Sequence, residues 1–396
     1  MIVAYALACA ATQLLWLTYA AITTESAHRY GVSVDAIGWL AEIFPLLYVV
    51  LAIPAGIVLD RFFRPALAAG AALMALGGLV RLGGQTFAWA MAGQTLVAVS
   101  QPVVLSAVSK LAGEYLPAGQ RADGISLGSA GNFVGMLLAL LLGPTLGAHG
   151  QLERLLVVEA GMGVAAAAAL AVVLRRPGLH ASAGTTEWEG SAARALWRLE
   201  PMRIQCGLVF LGFGIFVALA TWLQTLLQPS HVSETTAGVL LVGMVVAGIA
   251  GCAALPPLVA RRHAERAFMR TAVLVGCAGC AALGAPWLGT RALALVAIGV
   301  VLLPALPVIL ASAERLAGPA AGTAGAIVWL AGNLGGLAVA LLVQVLVHHP
   351  LPAFLTMAAV ALLGLPLAAR VSFPVAVGVG AGAGETVQPQ LLSTRL

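Results

Sequence analysis

Charged residues are scarce in this chain. Only 9% of its 396 residues are Asp, Glu, Lys or Arg, whereas an ordinary soluble domain carries roughly a quarter. Apolar residues make up 61% of the sequence. A soluble protein of this size has no interior large enough to bury that much apolar surface. The composition therefore excludes a soluble domain and predicts a protein whose solvent is the lipid bilayer.

Lysine is also scarce, as are clusters of side chains that could catalyse a reaction or bind a metal. Lysine occurs once, as Lys110 at the end of an apolar run, where we expect its ammonium to snorkel to the interface. The net charge of +5 comes from arginines between apolar runs, which is typical of orientation signals and not of nucleic-acid binding. No nucleophile–base set or metal-ligand cluster is recognisable in the sequence. We therefore expect neither an enzyme nor a bound metal or cofactor.

Two segments of the chain nearly repeat each other. AGNFVGMLLALL begins at Ala130 and AGNLGGLAVALL begins at Ala331, an offset of 201 residues that is close to half of the chain. Repeated halves of membrane helices are typical of transporters, whose substrate site lies between the halves near the bilayer midplane. The repeat therefore predicts two homologous halves, each a bundle of membrane-spanning helices.

The apolar segments define a domain organisation. With about 20 residues for each span, the chain holds about twelve segments. We predict an all-α membrane protein with twelve transmembrane helices in two pseudo-symmetric six-helix bundles. The predicted parts are an N-terminal bundle at 1–174, a cytoplasmic loop at 175–202, a C-terminal bundle at 203–371 and a cytoplasmic, disordered tail at 372–396.

The distribution of positive charge predicts the orientation. If both termini are cytoplasmic, all of the 20 Lys and Arg residues except Arg29, Arg81, Arg154 and Arg291 lie on the cytoplasmic side. The composition, rich in Ala, Arg and Gly with a single lysine, is typical of a high-GC bacterium. We therefore expect a multi-pass, monomeric protein of a bacterial inner membrane, with the lipid bilayer and a small-molecule substrate as its partners.

A charged motif follows the second apolar segment. Gly56, Asp60, Arg61 and Arg64 form a G-x-x-x-D-R-x-x-R pattern, which resembles the signature of the major facilitator superfamily. The resemblance implies that the Asp and Arg side chains pair between the two bundles and stabilise one of two alternating states. The equivalent second-half segment, near Arg261, has lost its acid.

The first half resembles one group of that superfamily more closely. The stretch QLLWLTYAAI from Gln13 to Ile22, including Trp16, is similar to a segment of the feline leukaemia virus subgroup C receptor-related family, which is linked to choline, ethanolamine and haem transport. Further short matches run in the same order over about residues 10–145, including Gly93-Gln94-Thr95 and the segment that ends at Gln101.

This resemblance implies an organic-cation site. The family's tryptophan and glutamine, here Trp16 and Gln101, contribute to that site, and an indole face attracts a quaternary ammonium by about 1–2 kcal/mol or more. The alternative is that Trp16 is an aromatic residue facing lipid or the core. The family's second aromatic wall aligns with Val217, which is also the repeat mate of Trp16, so the cage is incomplete. The remaining candidate substrate-binding residues are Gln13, Gln94, Phe216 and Asn333; a buried asparagine could equally join helices.

Two acids lie within predicted spans. Glu42 and Glu159 could carry a coupling proton, or could be solvated near the outer interface beside an arginine. We predict a secondary transporter that works by alternating access, with a small organic cation of the choline or ethanolamine type as substrate. The alternatives are a proton-coupled exporter of hydrophobic or drug-like compounds and a haem transporter.

Overall fold

The computed structural model describes residues 1–147, 151–178 and 190–372, and its regular elements in these ranges are helices. The predicted all-α class is confirmed. The α-helices are α1 Ile2–Leu17, α2 Thr23–Tyr30, α3 Val34–Arg61, α4 Phe63–Val80, α5 Phe87–Tyr115, α6 Arg121–Leu142, α7 Leu152–Leu174, α8 Gly190–Arg198, α9 Glu200–Leu227, α10 Glu234–Arg261, α11 Glu265–Ala282, α12 Leu288–Ala317, α13 Ala321–Val345, α14 Pro350–Leu362 and α15 Gly364–Arg370. The predicted loop at 175–202 contains α8, and the predicted disordered tail lies outside the described residues from 373 onward.

The helices are long and apolar enough for a multi-pass membrane protein. Within the described ranges, nine segments meet the length and hydropathy of a membrane span, and the segment Leu288–Val345 contains both α12 and α13. Helix α1 is apolar but has only 16 residues, and α11 carries three charged residues in its first two turns. The predicted number of twelve spans is therefore supported only in part.

The packing of the helices repeats along the chain. In the first half, α1 packs against α6 and α3 against α5; in the second half, α9 packs against α13 and α10 against α12. Contacts between the halves are made chiefly by α3 with α13 and by α6 with α10. This pattern supports the proposed division into two bundles, with a boundary between 174 and 203.

The repeated AGN segments lie at close helix crossings in both halves. A Cβ atom built on Gly135 would overlap the carbonyl oxygen of Ala10 in α1, and one on Gly335 would overlap the carbonyl oxygen of Phe210 in α9. Small residues let membrane helices approach closely and gain van der Waals contact. The sequence repeat therefore marks the α1–α6 and α9–α13 interfaces.

A Gly135→Ala substitution tests this packing. We expect it to lower the melting temperature, because overpacking costs about 1–3 kcal/mol and the blocking atom is backbone. Gly161→Ala in α7 is the matched control, since no atom lies within 4 Å of its Cβ position. Thermal unfolding in detergent, followed by tryptophan fluorescence, measures both; equal melting temperatures would contradict the assignment.

Two ends of the helical bundle are distinguished by their charged residues. Helix α4 begins at Phe63, three residues after Asp60, and runs for 18 residues to Val80, which directly precedes Arg81. At 1.5 Å per residue this is about 27 Å, roughly the thickness of a bilayer core. We call these the Asp60 end and the Arg81 end.

Candidate functional site

Asp60 joins the two halves of the chain. Its Oδ1 accepts a hydrogen bond from the backbone N–H of Gly322 at 2.8 Å. Its Oδ2 accepts one from the N–H of Thr323 at 2.8 Å and one from the Thr323 hydroxyl at 2.6 Å. These N–H groups belong to the first turn of α13, which has no intrahelical acceptors for them and carries the positive end of the helix dipole. The buried carboxylate thus fastens α3 to α13.

Lys110 compensates the charge of Asp60 from the side. Its Nζ donates to the backbone carbonyl of Asp60 at 2.9 Å and to that of Pro319 at 3.1 Å, and lies 3.4 Å from Asp60 Oδ1. Glu114 lies 3.9 Å away on the same helix. The side chain is only 5% exposed, so the ammonium is held between the halves. The expectation that Lys110 snorkels to the interface is therefore wrong.

Three further polar contacts connect the halves close to Asp60. Arg121 Nη1 lies 2.9 Å from Glu314 Oε1, and the Ser109 hydroxyl donates to the carbonyl of Leu310 at 3.2 Å. Arg261 pairs with Asp123 at 3.5 Å, but both side chains are exposed, so this pair contributes little. In the described ranges, the hydrogen bonds and ion pairs found between the halves all lie at the Asp60 end. The two halves are therefore closed together at that end.

The other residues of the charged motif have different contacts. Gly56 lets α13 approach, because a Cβ there would lie 2.8 Å from Thr323 Cα. The Arg61 guanidinium lies over the ring of Phe62 at 5.1 Å. Arg64 donates to the carbonyls of Leu174 and Arg175 at 2.9 and 3.0 Å. Of the charged residues in the motif, Asp60 contacts the second half, while the arginines have their contacts in the first.

Glu159 lies in a buried ion pair at the Arg81 end. Its Oε2 is 3.1 Å from Arg81 Nη2, and both side chains are fully buried. The Thr18 hydroxyl donates to the same oxygen at 2.6 Å and accepts from Arg81 Nη1 at 3.0 Å. Arg81, which the sequence places in an outer loop, is thus an interior residue whose charge Glu159 neutralises.

Gln94 is used to join helices of the first half. Its Nε2 donates to the carbonyl of Leu40 at 3.1 Å and to that of Trp16 at 3.4 Å. Its Oε1 lies 3.5 Å from Arg81 Nη1. The amide therefore connects α5 to α1 and α3, and both of its polar atoms already have partners.

Trp16 is fixed in place but not covered. Its Nε1 donates to the carbonyl of Ala41 in α3 at 3.0 Å, and its ring centroid lies 5.9 Å from that of Phe44. The side chain is only partly buried. The exposed part of the ring is available for contact with a ligand or with lipid.

Several buried polar atoms lack partners. Within the described residues, Gln13 Oε1, Gln101 Nε2, Asn132 Oδ1 and Trp329 Nε1 are buried without a hydrogen-bond partner. An unpaired buried polar group costs about 1–3 kcal/mol, so such atoms are candidates to bind substrate or ordered water. Gln13 and Gln101 are predicted from the sequence, whereas Trp329 is not.

Aromatic residues meet between the halves. The ring centroids of Phe133 and Phe216 are 5.9 Å apart, those of Phe213 and Phe216 are 5.7 Å apart, and those of Phe213 and Trp329 are 5.8 Å apart. We call these four residues the aromatic cluster. It connects α6 of the first half to α9 and α13 of the second. Phe216 is thereby packed among aromatic rings and is only 2% exposed.

The other two predicted second-half residues have their contacts with α13 or within it. A Cβ atom on Gly336 would lie 3.1 Å from Val217 Cγ2, so Val217 packs against that helix. Asn333 Nδ2 donates to the carbonyl of Trp329 at 2.9 Å, one turn earlier in the same helix. Neither residue is aromatic, and the aromatic side chains near them on α9 and α13 are those of the aromatic cluster.

Glu42 is exposed and has no ion pair or hydrogen bond in the part of the chain that the structure describes. It precedes Asp60 by 18 residues, which is five turns of an α-helix. In a straight helix this spacing would place the two side chains on one face, but α3 contains Pro45 and Pro54 between them. Glu42 lies in the part of α3 nearer the Arg81 end, where no polar contact between the halves is found in the described ranges.

Comparisons with known proteins give the family. The model of the Major Facilitator Superfamily matches residues 1–340. Solute carrier family 49 member A3 of Danio rerio is 32% identical over 288 residues, 67% of this chain and 60% of that protein. The choline/ethanolamine transporter FLVCR2 of Homo sapiens is 32% identical over 135 residues, 33% of this chain and 26% of that protein. The matches thus span about 60% or less of these relatives' length.

Solved structures show the same fold. The human organic anion transporter MFSD10 (TETRAN) superposes with a TM-score of 0.75 at 17% identity, covering 93% of this chain and 98% of that chain. The transporter FucP in the outward conformation gives a TM-score of 0.76 at 16% identity, covering 93% and 99%. Helix packing, the cross-linked motif and the sequence match agree, and this chain belongs to the Major Facilitator Superfamily.

Proposed function

We propose that this member of a family of secondary transporters moves a small organic cation of the choline or ethanolamine type by alternating access. The observation that carries the proposal is the contact of Asp60 with the first turn of α13. It closes one end of the interface between the halves through a few polar bonds, which can break and re-form. The described residues show no comparable bonds at the Arg81 end, so we propose that substrate enters there.

The transport cycle follows from this asymmetry. Substrate binds between the halves and favours closure at the Arg81 end, and the bonds of Asp60 and Lys110 then break. A ligand shifts a two-state equilibrium only by its difference in affinity for the two states, and about 5.5 kcal/mol converts 1:99 into 99:1. The few hydrogen bonds at the Asp60 end are of the right order to oppose that shift, because bonds to charged groups contribute about 1.5–3 kcal/mol each.

We propose that the Asp60 end faces the cytoplasm. Both termini and most of the arginines then lie on that side, which agrees with the positive-inside rule. The closed end is thereby the inner one, and the site is open to the outside. A bacterial inner membrane, a monomer and cytoplasmic termini complete the proposal.

The substrate class is supported by the chemistry of the first half. Trp16 presents a partly exposed ring for a quaternary ammonium, and Gln101 Nε2 and Gln13 Oε1 are an unpaired donor and an unpaired acceptor for a hydroxyl group. Glu42 contributes negative charge near the entrance. Arg81 does not oppose a cation, because Glu159 neutralises it.

The relatives support the same choice. FLVCR2 is named a choline/ethanolamine transporter, and its match covers 33% of this chain. Proton-coupled export of drug-like compounds and haem transport gain no support from the names of these relatives. At the position of the family's second aromatic wall this chain has Val217. The aromatic cluster supplies the aromatic side chains in its place.

Uptake of radiolabelled choline into proteoliposomes tests the proposal. We expect saturable uptake that Trp16→Ala reduces at least about tenfold, since a desolvated cation–π contact contributes about 2 kcal/mol. Trp222→Ala is the matched control, because Trp222 donates to the Ala340 carbonyl at 3.0 Å as Trp16 does to Ala41. We expect the control to retain its uptake.

Two results would contradict the substrate proposal. One is the absence of saturable choline uptake by the folded wild-type protein. The other is an equal loss in Trp16→Ala and Trp222→Ala, which would assign both tryptophans to helix packing. An imposed pH gradient, applied in the same assay to Glu42→Gln, shows whether that carboxylate couples uptake to protons.

A further inference from the structure

An apolar groove lies on the side of the protein, apart from the interior site. Its volume is about 570 Å³. Its walls come from α3, α8, α9 and α13, and include Ile53, Trp197, Phe210 and Leu334. Leu334 is 40% exposed and Trp197 is 52% exposed, so the groove opens outward. In a membrane-spanning helical bundle this opening faces lipid.

The groove has a charged mouth. Arg194 of α8 and Arg203 of α9 line it, and both are exposed. Neither guanidinium has an ion pair or a side-chain hydrogen bond among the residues that the structure describes. Glu200, three residues before Arg203, is the nearest acid in the sequence and forms no ion pair with it there. Within the part of the chain that the structure describes, the positive charge of the mouth is therefore not paired with an acid.

The mouth of the groove lies at the depth of the membrane interface. Helix α9 begins at Glu200 near the Asp60 end, because Gln205 donates to Ser312, two residues before Glu314. Helix α8 packs against α9 and α13 at this end, with Leu196 buried and Trp197 exposed. Tryptophan and arginine at such a position are typical of the headgroup region, where the ring and the guanidinium contact both apolar chains and phosphates.

We propose that this groove binds an anionic phospholipid of the leaflet at the Asp60 end. An acyl chain fills the apolar walls between Phe210 and Leu334, and the headgroup phosphate pairs with Arg194 and Arg203. Guanidinium forks match phosphate oxygens in geometry and charge. A zwitterionic lipid could fill the walls equally, but its ammonium group would offset the attraction at the mouth.

The bound lipid contacts both halves of the protein. Ile53 belongs to α3 of the first half, while the other walls belong to α8, α9 and α13. Movement of α3 away from α13 opens the wall at Ile53 and reduces the apolar contact with the chain. The lipid therefore stabilises the state in which the Asp60 end is closed.

Native mass spectrometry of the full-length protein tests the site. Delipidated protein in detergent is titrated with dioleoyl phosphatidylglycerol or dioleoyl phosphatidylcholine. We expect one phosphatidylglycerol to be retained in preference to phosphatidylcholine. We expect Arg194→Gln/Arg203→Gln to weaken its retention about tenfold or more, since each arginine near an anionic lipid contributes roughly a kilocalorie per mole.

Two further variants make the result decisive. Arg175→Gln/Arg176→Gln removes the same charge at the same end but outside the groove, and we expect it to retain the lipid. Ala331→Phe leaves the charge unchanged but places a ring in the groove, and we expect it to lose the lipid. Equal retention of the two lipids by the wild type would overturn the proposal, as would an equal loss in both arginine pairs.

Discussion

Replacing Asp60 with alanine is expected to open the Asp60 end and to reduce choline uptake at least tenfold. The substitution removes three hydrogen bonds to the first turn of α13 and leaves the buried ammonium of Lys110 without its nearest carboxylate. Removal of one partner of a buried pair costs about 3–5 kcal/mol. A change of that size is comparable to the 5.5 kcal/mol that inverts a 1:99 equilibrium.

Hydrogen exchange measures the structural part of this prediction. The N–H groups of Gly322 and Thr323 donate to Asp60, so peptides covering 318–326 should exchange much faster in Asp60→Ala than in the wild type. Asp123→Ala is the matched control: it also breaks a first-half to second-half pair, but an exposed one that is expected to contribute little. Unchanged protection in a folded Asp60→Ala protein would contradict the assigned contact.

The second large effect is expected at the Arg81 end. Glu159→Gln should destabilise the protein by about 3–5 kcal/mol, because it leaves the Arg81 guanidinium charged and buried without a counter-ion. The double variant Arg81→Met/Glu159→Leu removes both charges and should recover most of that stability, since apolar replacements of buried pairs are often neutral. Thermal unfolding of Arg81→Met, Glu159→Leu and the double variant, each compared with the wild type, gives the interaction free energy.

The same double variant separates the two roles that the sequence leaves open for Glu159. A residue that only pairs with Arg81 can be replaced together with it, and we expect the folded double variant to keep choline uptake and its response to a pH gradient. Loss of the gradient response alone, with folding and binding retained, would make Glu159 a proton carrier. Restored stability with restored uptake would leave Glu42 as the candidate for coupling.

The architecture is readable from the sequence because its signals are local and repeated. The AGN segments at Ala130 and Ala331 mark equivalent helix crossings, and each needs glycine where a Cβ would meet a backbone carbonyl. The charged motif identifies Asp60 because its spacing is fixed along one short segment. Both signals depend on residues close together in the chain, and periodicity and composition are sufficient to find them.

The partners of the site residues are not readable in the same way. Arg81 reads as a loop residue, yet it meets Glu159, which is 78 residues away in the sequence. Asp60 meets Thr323, which is 263 residues away. The sequence allows an arginine beside Glu159 but does not single out Arg81, because that pairing is set by how the helices of the first half pack. The pairing of Asp60 with Thr323 is set by how the two halves meet.

Trp329 and Lys110 show a further limit. The repeat mate of Trp329 is Gly128, so the symmetry that aligns Trp16 with Val217 hides the tryptophan. Lys110 lies where a snorkelling lysine is expected, and only the contacts with Asp60 and Pro319 show that it is enclosed. The one feature of the sequence that singles out Lys110 is that the chain has no other lysine.

That single lysine allows the most direct test of alternating closure at the Asp60 end. An amine-reactive acylating reagent is added to the wild-type protein in detergent, with and without choline, and the modified peptide containing Lys110 is quantified over time by mass spectrometry. We expect slow modification without choline, because the ammonium is buried between the halves. We expect several-fold faster modification with choline, because transport takes the protein through the state that is open at this end. The same rate of modification with and without choline would contradict alternating closure at the Asp60 end.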